Sequence, residues 1–219
     1  MREAFSTALM NFALNDTRVL LLTGDHGYSL FDKFRAKCPK QYINCGIAEQ
    51  NMVGMAAGLA RVGFRPFVYG LAAFIPVRTV EQIKLDIAHD GLPVILIGDG
   101  AGFVYSHLGT SHQSTEDIAC TRSIPGIEVL SPADRYEMTA CMNYAIASNG
   151  PVYLRIGKSD RGNIHEADIK RLDAGEILKL KSGRDDRPGL IATGSMVTTA
   201  IKASARFDLN VWSAPVLKP

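Results

Sequence analysis

One carboxylate stands apart in this sequence. Glu49 is the only charged side chain between Lys40 and Arg61, within Asn44-Cys45-Gly46-Ile47-Ala48-Glu49-Gln50-Asn51-Met52-Val53-Gly54-Met55-Ala56-Ala57-Gly58-Leu59-Ala60. An acid in a first helical turn often does no more than complement the helix dipole, for some tenths of a kcal/mol up to about 1 kcal/mol. Here the neighbours are apolar or small, so the carboxylate is expected to be desolvated, and burial favours the protonated form that suits proton exchange near neutrality. A second stretch with chemical potential is Ser106-His107-Leu108-Gly109-Thr110-Ser111-His112-Gln113. It lies in a segment, 100–116, rich in Gly, Ser, Thr and His and without a long apolar period, which predicts a functional loop. His107 and His112 are five apart in that loop, a poor spacing for a metal pair, and polar loop contacts are the simpler use for them. A third is Gly24-Asp25-His26-Gly27-Tyr28-Ser29, where Asp25 suits either an Asx-turn or a ligand contact.

These residues need a scaffold, and the apolar periodicity supplies one. Residues 2–15 put Ala4, Phe5, Ala8, Leu9, Phe12 and Ala13 on one helical face, and residues 19–23 read as a fully buried strand. Short helix 30–37, strand 42–45 and the Glu49 helix follow, the last started by a Gly46 turn and stopped by Gly63. Then come strand 66–70, helix 77–89, strand 93–98, the loop, helix 115–122, strand 127–130, a helix from Ser131-Pro132 to about 148, and strand 151–156. Strands alternating with helices predict an α/β fold, a mostly parallel sheet with helices on both faces. In such sheets ligands bind at the carboxyl ends of strands, which is where the Asp25 loop falls. From 157 to 187 charge density rises, predicting a solvated linker, and residues 189–219 hold one short, partial second α/β unit.

Composition narrows the function classes. A net charge of +2 without a basic cluster gives no footprint for nucleic acid. No apolar run is long enough to span a membrane, and the N-terminus is no signal peptide, so a cytoplasmic protein is expected. Cys38, Cys45, Cys120 and Cys141 form no CxxC pair, which points to reduced structural thiols. There is no GxGxxG, P-loop, zinc spacing or Gly-x-Ser-x-Gly elbow. Gly98-Asp99-Gly100 resembles the opening of a diphosphate and Mg²⁺ motif, but the downstream Asn is missing, so it is read as a strand-end turn and no metal is assigned to this chain.

Together, Asn44-Cys45-Gly46-Ile47-Ala48-Glu49-Gln50-Asn51-Met52, Gly109-Thr110-Ser111-His112-Gln113, Glu116-Asp117-Ile118-Ala119 and Ile124-Pro125-Gly126 resemble the pyrimidine-binding (Pyr) domain of the transketolase family of thiamine diphosphate enzymes. The resemblance implies a Pyr domain over 1–158, a charged linker over 159–188 and a truncated start of the family's C-terminal domain over 189–219. It implies that Glu49 hydrogen-bonds N1′ of the cofactor's aminopyrimidine and so activates the C2 proton, with Asp25, Phe74 and Ile47 as further cofactor contacts. It implies that His112 contacts substrate and shuttles protons, with His26, Ser29 and Lys158 as further substrate contacts.

The sequence departs from transketolases proper at Leu108, where they carry a substrate-recognising acid, at Gly100, where they carry a histidine, and at Leu71, where they carry a second aromatic. The diphosphate-binding (PP) domain is absent from the chain. The resemblance therefore implies a split transketolase-like enzyme that transfers a two-carbon ketol unit between (phospho)sugars, with thiamine diphosphate at the interface with a separate PP subunit that holds Mg²⁺, in an α2β2 heterotetramer. The alternatives are the β subunit of a 2-oxo acid dehydrogenase component and a non-catalytic structural partner.

Overall fold

The computed structural model describes residues 1–157 and 162–219. In chain order the first half runs α1 (Arg2–Asn15), β1 (Val19–Thr23), α2 (Asp32–Lys37), β2 (Tyr42–Asn44), α3 (Glu49–Arg61), β3 (Arg65–Leu71), α4 (Ile75–Arg78), α5 (Val80–Gln82) and β4 (Ile95–Asp99). The second half runs α6 (Asp117–Arg122), β5 (Glu128–Leu130), α7 (Arg135–Ala147), β6 (Val152–Ile156), β7 (Leu178–Lys181), β8 (Leu190–Ala192), α8 (Met196–Phe207), β9 (Val211–Ser213) and β10 (Val216–Lys218). Seven strands form the main sheet in the order β10-β5-β6-β4-β3-β1-β2. All its pairings are parallel except β10 with β5.

The sheet is apolar on both faces because both are covered. Alternate residues of each central strand go to opposite cores: Leu21, Phe67, Ile95 and Leu154 pack with Phe5 and Leu9 of α1 and Met138 of α7. Leu20, Val68, Leu96 and Tyr153 pack with Met52, Val53 and Ala56 of α3. Each such side chain contributes roughly 1.5–3 kcal/mol on burial. The expectation of a parallel sheet sandwiched between helices is met.

Three local expectations are corrected. The predicted helix over 77–89 is broken into α4, α5 and a π-helical turn, Ile83–Ala88; Pro76 in the first turn of α4 suits a start, and Thr79 separates the pieces. The predicted helix from Ser131 begins instead at Arg135, because Asp134 is the residue that caps it, accepting from the backbone N–H groups of Tyr136 and Glu137, each at 2.9 Å. Ser131 is engaged elsewhere, its N–H bonded to Pro215. The charged segment 159–188 is more than a solvated linker: it holds β7, which pairs with β9 in a three-stranded sheet β7-β9-β8, and buries Leu172 in the main core.

The same segment is clasped to α7. Asp134 Oδ2 accepts from the backbone N–H groups of Ile164 and His165, each at 2.8 Å, and lies 3.2 Å from His165 Nδ1. The hydrogen bond to Asp134 raises the His165 pKa above its ordinary value. Burial works against the Asp134 charge, but the hydrogen bonds from His165, Glu137 and Ile164 outweigh it and hold that carboxyl well below its ordinary range. Glu137, beside them, is pushed up by burial. The protonated imidazole therefore adds stability that is fully present below 6.5, the unfolded value, and is lost as pH rises through the raised folded value. The Asp134 contribution is lost at the other end, as pH falls below 3.8. The expected result is that His165→Gln lowers unfolding stability by about 1.5–3 kcal/mol on the acid side of neutrality, with a difference from the parent that shrinks toward alkaline pH. Parallel thermal or urea unfolding across that range checks it; a pH-independent difference would contradict it.

Candidate active site

The carboxyl ends of β1, β2, β3 and β4 bring the chemically capable stretches to one edge of the sheet. After β2, the Asn44 side chain accepts from the Gly46 N–H at 2.9 Å, and Gly46 takes φ 72°, the left-handed geometry that lets the chain turn directly into α3. Glu49 is then the first helical residue and is only 2% exposed. Gly24, after β1, packs against it: a Cβ there would sit 3.3 Å from the Gly46 carbonyl oxygen and 4.0 Å from Glu49 Cγ. The carboxylate is buried as expected, but it is not alone. Arg78, at the end of α4, donates from Nη1 to Glu49 Oε2 at 2.8 Å, while Oε1 is buried without a hydrogen-bond partner among the described residues.

Phe74 and His112 join this group from the loops after β3 and β4. The Phe74 ring lies edge-on to His112 with centroids 5.4 Å apart, and 6.3 Å from His26. The Arg78 guanidinium sits over the Phe74 ring, 4.3 Å from its centroid. His112 Nδ1 lies 2.9 Å from the Ser111 hydroxyl, which occupies one ring nitrogen and leaves Nε2 for another partner. Three left-handed glycines shape the His112 loop, with φ 77° at Gly100, 71° at Gly102 and 77° at Gly109. Asp25 takes φ 62°, an uncommon left-handed value for a non-glycine residue that marks a constrained loop. Its carboxylate accepts from the Tyr28 hydroxyl and, at 3.2 Å, from the Asn44 amide. The Tyr28 hydrogen bond first, and then Asn44, hold the Asp25 pKa below its ordinary value.

Of the residues singled out in the sequence, Glu49, Phe74, His112 and His26 thus form one connected cluster, and Asp25 adjoins it through Asn44. Ser29 lies farther along the same loop as an exposed residue, also with φ 62°. Ile47 is 77% exposed. Lys158 lies outside the described residues. Asp99, in the tripeptide discounted as a metal motif, ends β4 buried and paired with Arg2. Among the described residues no three His, Cys, Asp or Glu side chains are grouped to hold a metal, and no helix is long and apolar enough to cross a membrane. The four cysteines are free.

Two participants were not foreseen. Arg78 follows Phe74 by four residues, a spacing that puts an aromatic and a cation on one helical face, but nothing local ties it to Glu49, which is 29 residues away. Asp117 stands in a recognised stretch, yet its burial under Arg155 and Tyr153 depends on contacts 38 and 36 residues distant. Gly54 and Gly58 stand four residues apart in α3, where the lack of a side chain leaves room for another backbone. A Cβ at either meets nothing within 4 Å in this chain, and Met55 on the same helix and Val62, its C-cap, are 38% and 72% exposed.

Comparison with known proteins follows the same line. A family model described as transketolase, pyrimidine-binding domain, matches residues 1–162. The chain is 34% identical over 203 residues to one subunit of the apulose-4-phosphate transketolase of Phocaeicola vulgatus, covering 92% of this chain and 64% of that protein. It is 33% identical over 205 residues to a 6-deoxy-6-sulfo-D-fructose transketolase subunit of a Clostridium species, covering 93% and 63%. The chain thus spans just under two-thirds of the length of these relatives. Among solved structures, a split-gene transketolase in an inactive beta4 tetramer superposes with a TM-score of 0.88 at 33% identity, covering 99% of this chain and 71% of that one.

Proposed function

The chain belongs to the transketolase family through its pyrimidine-binding domain, and on that premise we propose that it is one subunit of a split enzyme that transfers a two-carbon ketol unit between (phospho)sugars with thiamine diphosphate. The single observation that carries this reading is the Glu49 carboxylate, buried with Oε1 unpartnered among the described residues, beside an aromatic ring and a histidine at the carboxyl edge of the sheet. A buried, orphaned acceptor is costly unless a ligand completes it, and an aminopyrimidine nitrogen is a fitting partner. When bound, thiamine diphosphate supplies a thiazolium carbon that carries the two-carbon unit during transfer.

The chain's own residues then divide the work. Glu49 Oε1, buried without a partner among the described residues, would share a proton with the pyrimidine nitrogen when the cofactor is bound. Phe74, Asp25 and Ile47 bound the cofactor. His112, with one nitrogen on Ser111, presents the other to a substrate oxygen and moves a proton there, and His26 and Ser29 line the substrate's approach. Residues 1–158 form the Pyr domain, 159–188 the connection and 189–219 the start of the C-terminal domain. The organisation of the relatives, two named as subunits and one as split-gene, supports a separate PP subunit that holds the diphosphate and Mg²⁺ in an α2β2 assembly. The exposed surface at Gly58 and Met55 of α3 and at its C-cap Val62 is offered to that assembly.

The test is to purify the chain alone and with a PP partner and to measure Mg²⁺-thiamine diphosphate binding and ketol transfer, giving sugar phosphates and 2-oxo acids as rival donors. Binding and sugar-dependent transfer are expected only in the complex. Tight cofactor binding by the lone chain would overturn the split assignment, and a preference for 2-oxo acids would overturn the substrate class.

A further inference from the structure

The geometry points to Arg78 as a positioning residue of the site, one that orients the Glu49 carboxylate and backs the Phe74 ring at the same time. This rests on the proposed role of Glu49 and Phe74 toward the cofactor. Two separate contacts carry it: Nη1 donates to Glu49 Oε2 at 2.8 Å, and the guanidinium lies 4.3 Å from the Phe74 centroid. Phe74 is the residue before α4 and Arg78 its last, so one helical turn sets their spacing and lets the Arg78 guanidinium reach both the Phe74 ring and Glu49.

A carboxylate has two equivalent oxygens, and its terminal torsion is soft. With Oε2 held by a charge-assisted hydrogen bond, the carboxylate plane is fixed and Oε1 alone is left to meet a ligand, which is the atom found buried without a partner among the described residues. The same guanidinium lies over the Phe74 ring and backs it. A planar, delocalised cation can donate to a carboxylate and lie on a ring together; an ammonium manages the first and lacks the flat face for the second. The Arg78 side chain is itself 47% exposed, so its loss does not open the core.

The experiment compares Arg78→Met and Arg78→Lys with the parent in the complex with the PP subunit, reading the thiamine diphosphate Kd by equilibrium dialysis at fixed Mg²⁺ and kcat and KM for the sugar donor. Arg78→Met is expected to weaken cofactor binding and to lower kcat, each by about ten- to a hundredfold, with KM for the sugar little changed and the unfolding midpoint close to the parent's. Arg78→Lys is expected to recover much of kcat through Glu49 while its Kd stays weakened. Parent-like Kd and kcat in Arg78→Met would overturn the inference, and tighter cofactor binding would overturn it too, since the guanidinium would then stand where the cofactor belongs. If Glu49→Gln still abolishes C2 exchange while Arg78→Met is silent, only this inference falls; if both are silent, the reading of the site itself has failed.

Discussion

Glu49→Gln, in the complex with the proposed PP subunit, is expected to slow hydrogen–deuterium exchange at C2 of thiamine diphosphate by about a hundred- to ten-thousandfold, the range general acid–base groups supply. The substitution is nearly isosteric, so α3 and its packing on Met52, Val53 and Ala56 are undisturbed. What changes is the group offered to the ligand. Arg78 is a donor only, and at 2.8 Å from Oε2 it selects the amide oxygen of a glutamine, turning the NH₂ toward the position of Oε1. The group proposed to hold a shared proton is replaced by one that can only donate. Exchange measured by quenched NMR at saturating cofactor reads this step free of sugar binding. An unchanged rate would remove Glu49 from the chemistry.

Asp117→Ala is expected to lower unfolding stability by about 3–5 kcal/mol, as breaking a buried ion pair does. The Asp117 carboxylate is fully buried and accepts from Arg155 Nε at 2.7 Å, Arg155 Nη2 at 3.1 Å and the Tyr153 hydroxyl at 2.8 Å. Removing it strands a guanidinium that is only 15% exposed together with a buried hydroxyl. Gly98 belongs to this network as well: a Cβ there would collide with the Tyr153 hydroxyl, so the first glycine of Gly98-Asp99-Gly100 is required by packing, and the tripeptide needs no metal to explain it. Urea unfolding of Asp117→Ala beside Asp117→Asn checks the prediction. The Asn variant keeps an acceptor for Arg155 and is expected to lose less; equal and small losses in both would mean that the pair does not hold the sheet.

Sequence periodicity captured the parts of this fold that local physics determines. Residues 2–15 and 19–23 match α1 and β1 because their apolar positions repeat cleanly at helical or continuous-strand spacing. Glu49 was legible because a lone charge among small and apolar residues has few ordinary uses. Its counter-ion was not, since Arg78 reaches it only after β3 and α4 fold back over α3. The start of α7 was misplaced for a similar reason. Ser131-Pro132 has the composition of a helix start, but its backbone is committed to the C-terminal unit, and the true cap, Asp134, is recognised by what it accepts from both α7 and residues 164–165. The strand within the charged segment was hidden because β7 alternates leucine with lysine and pairs with β9, more than 25 residues later in the chain.

The antiparallel pairing of β10 with β5 bears on what counts as one separable unit of this molecule. The family-matched region stops at residue 162, but the sheet that carries the site takes its outermost strand from residues 216–218. A chain cut at the family boundary would leave β5 as a bare edge, a row of unpaired N–H and C=O groups of the kind that templates association between copies. The C-terminal unit therefore acts as a chaperoning edge cover for the main sheet, and moving the sheet without it would expose that edge.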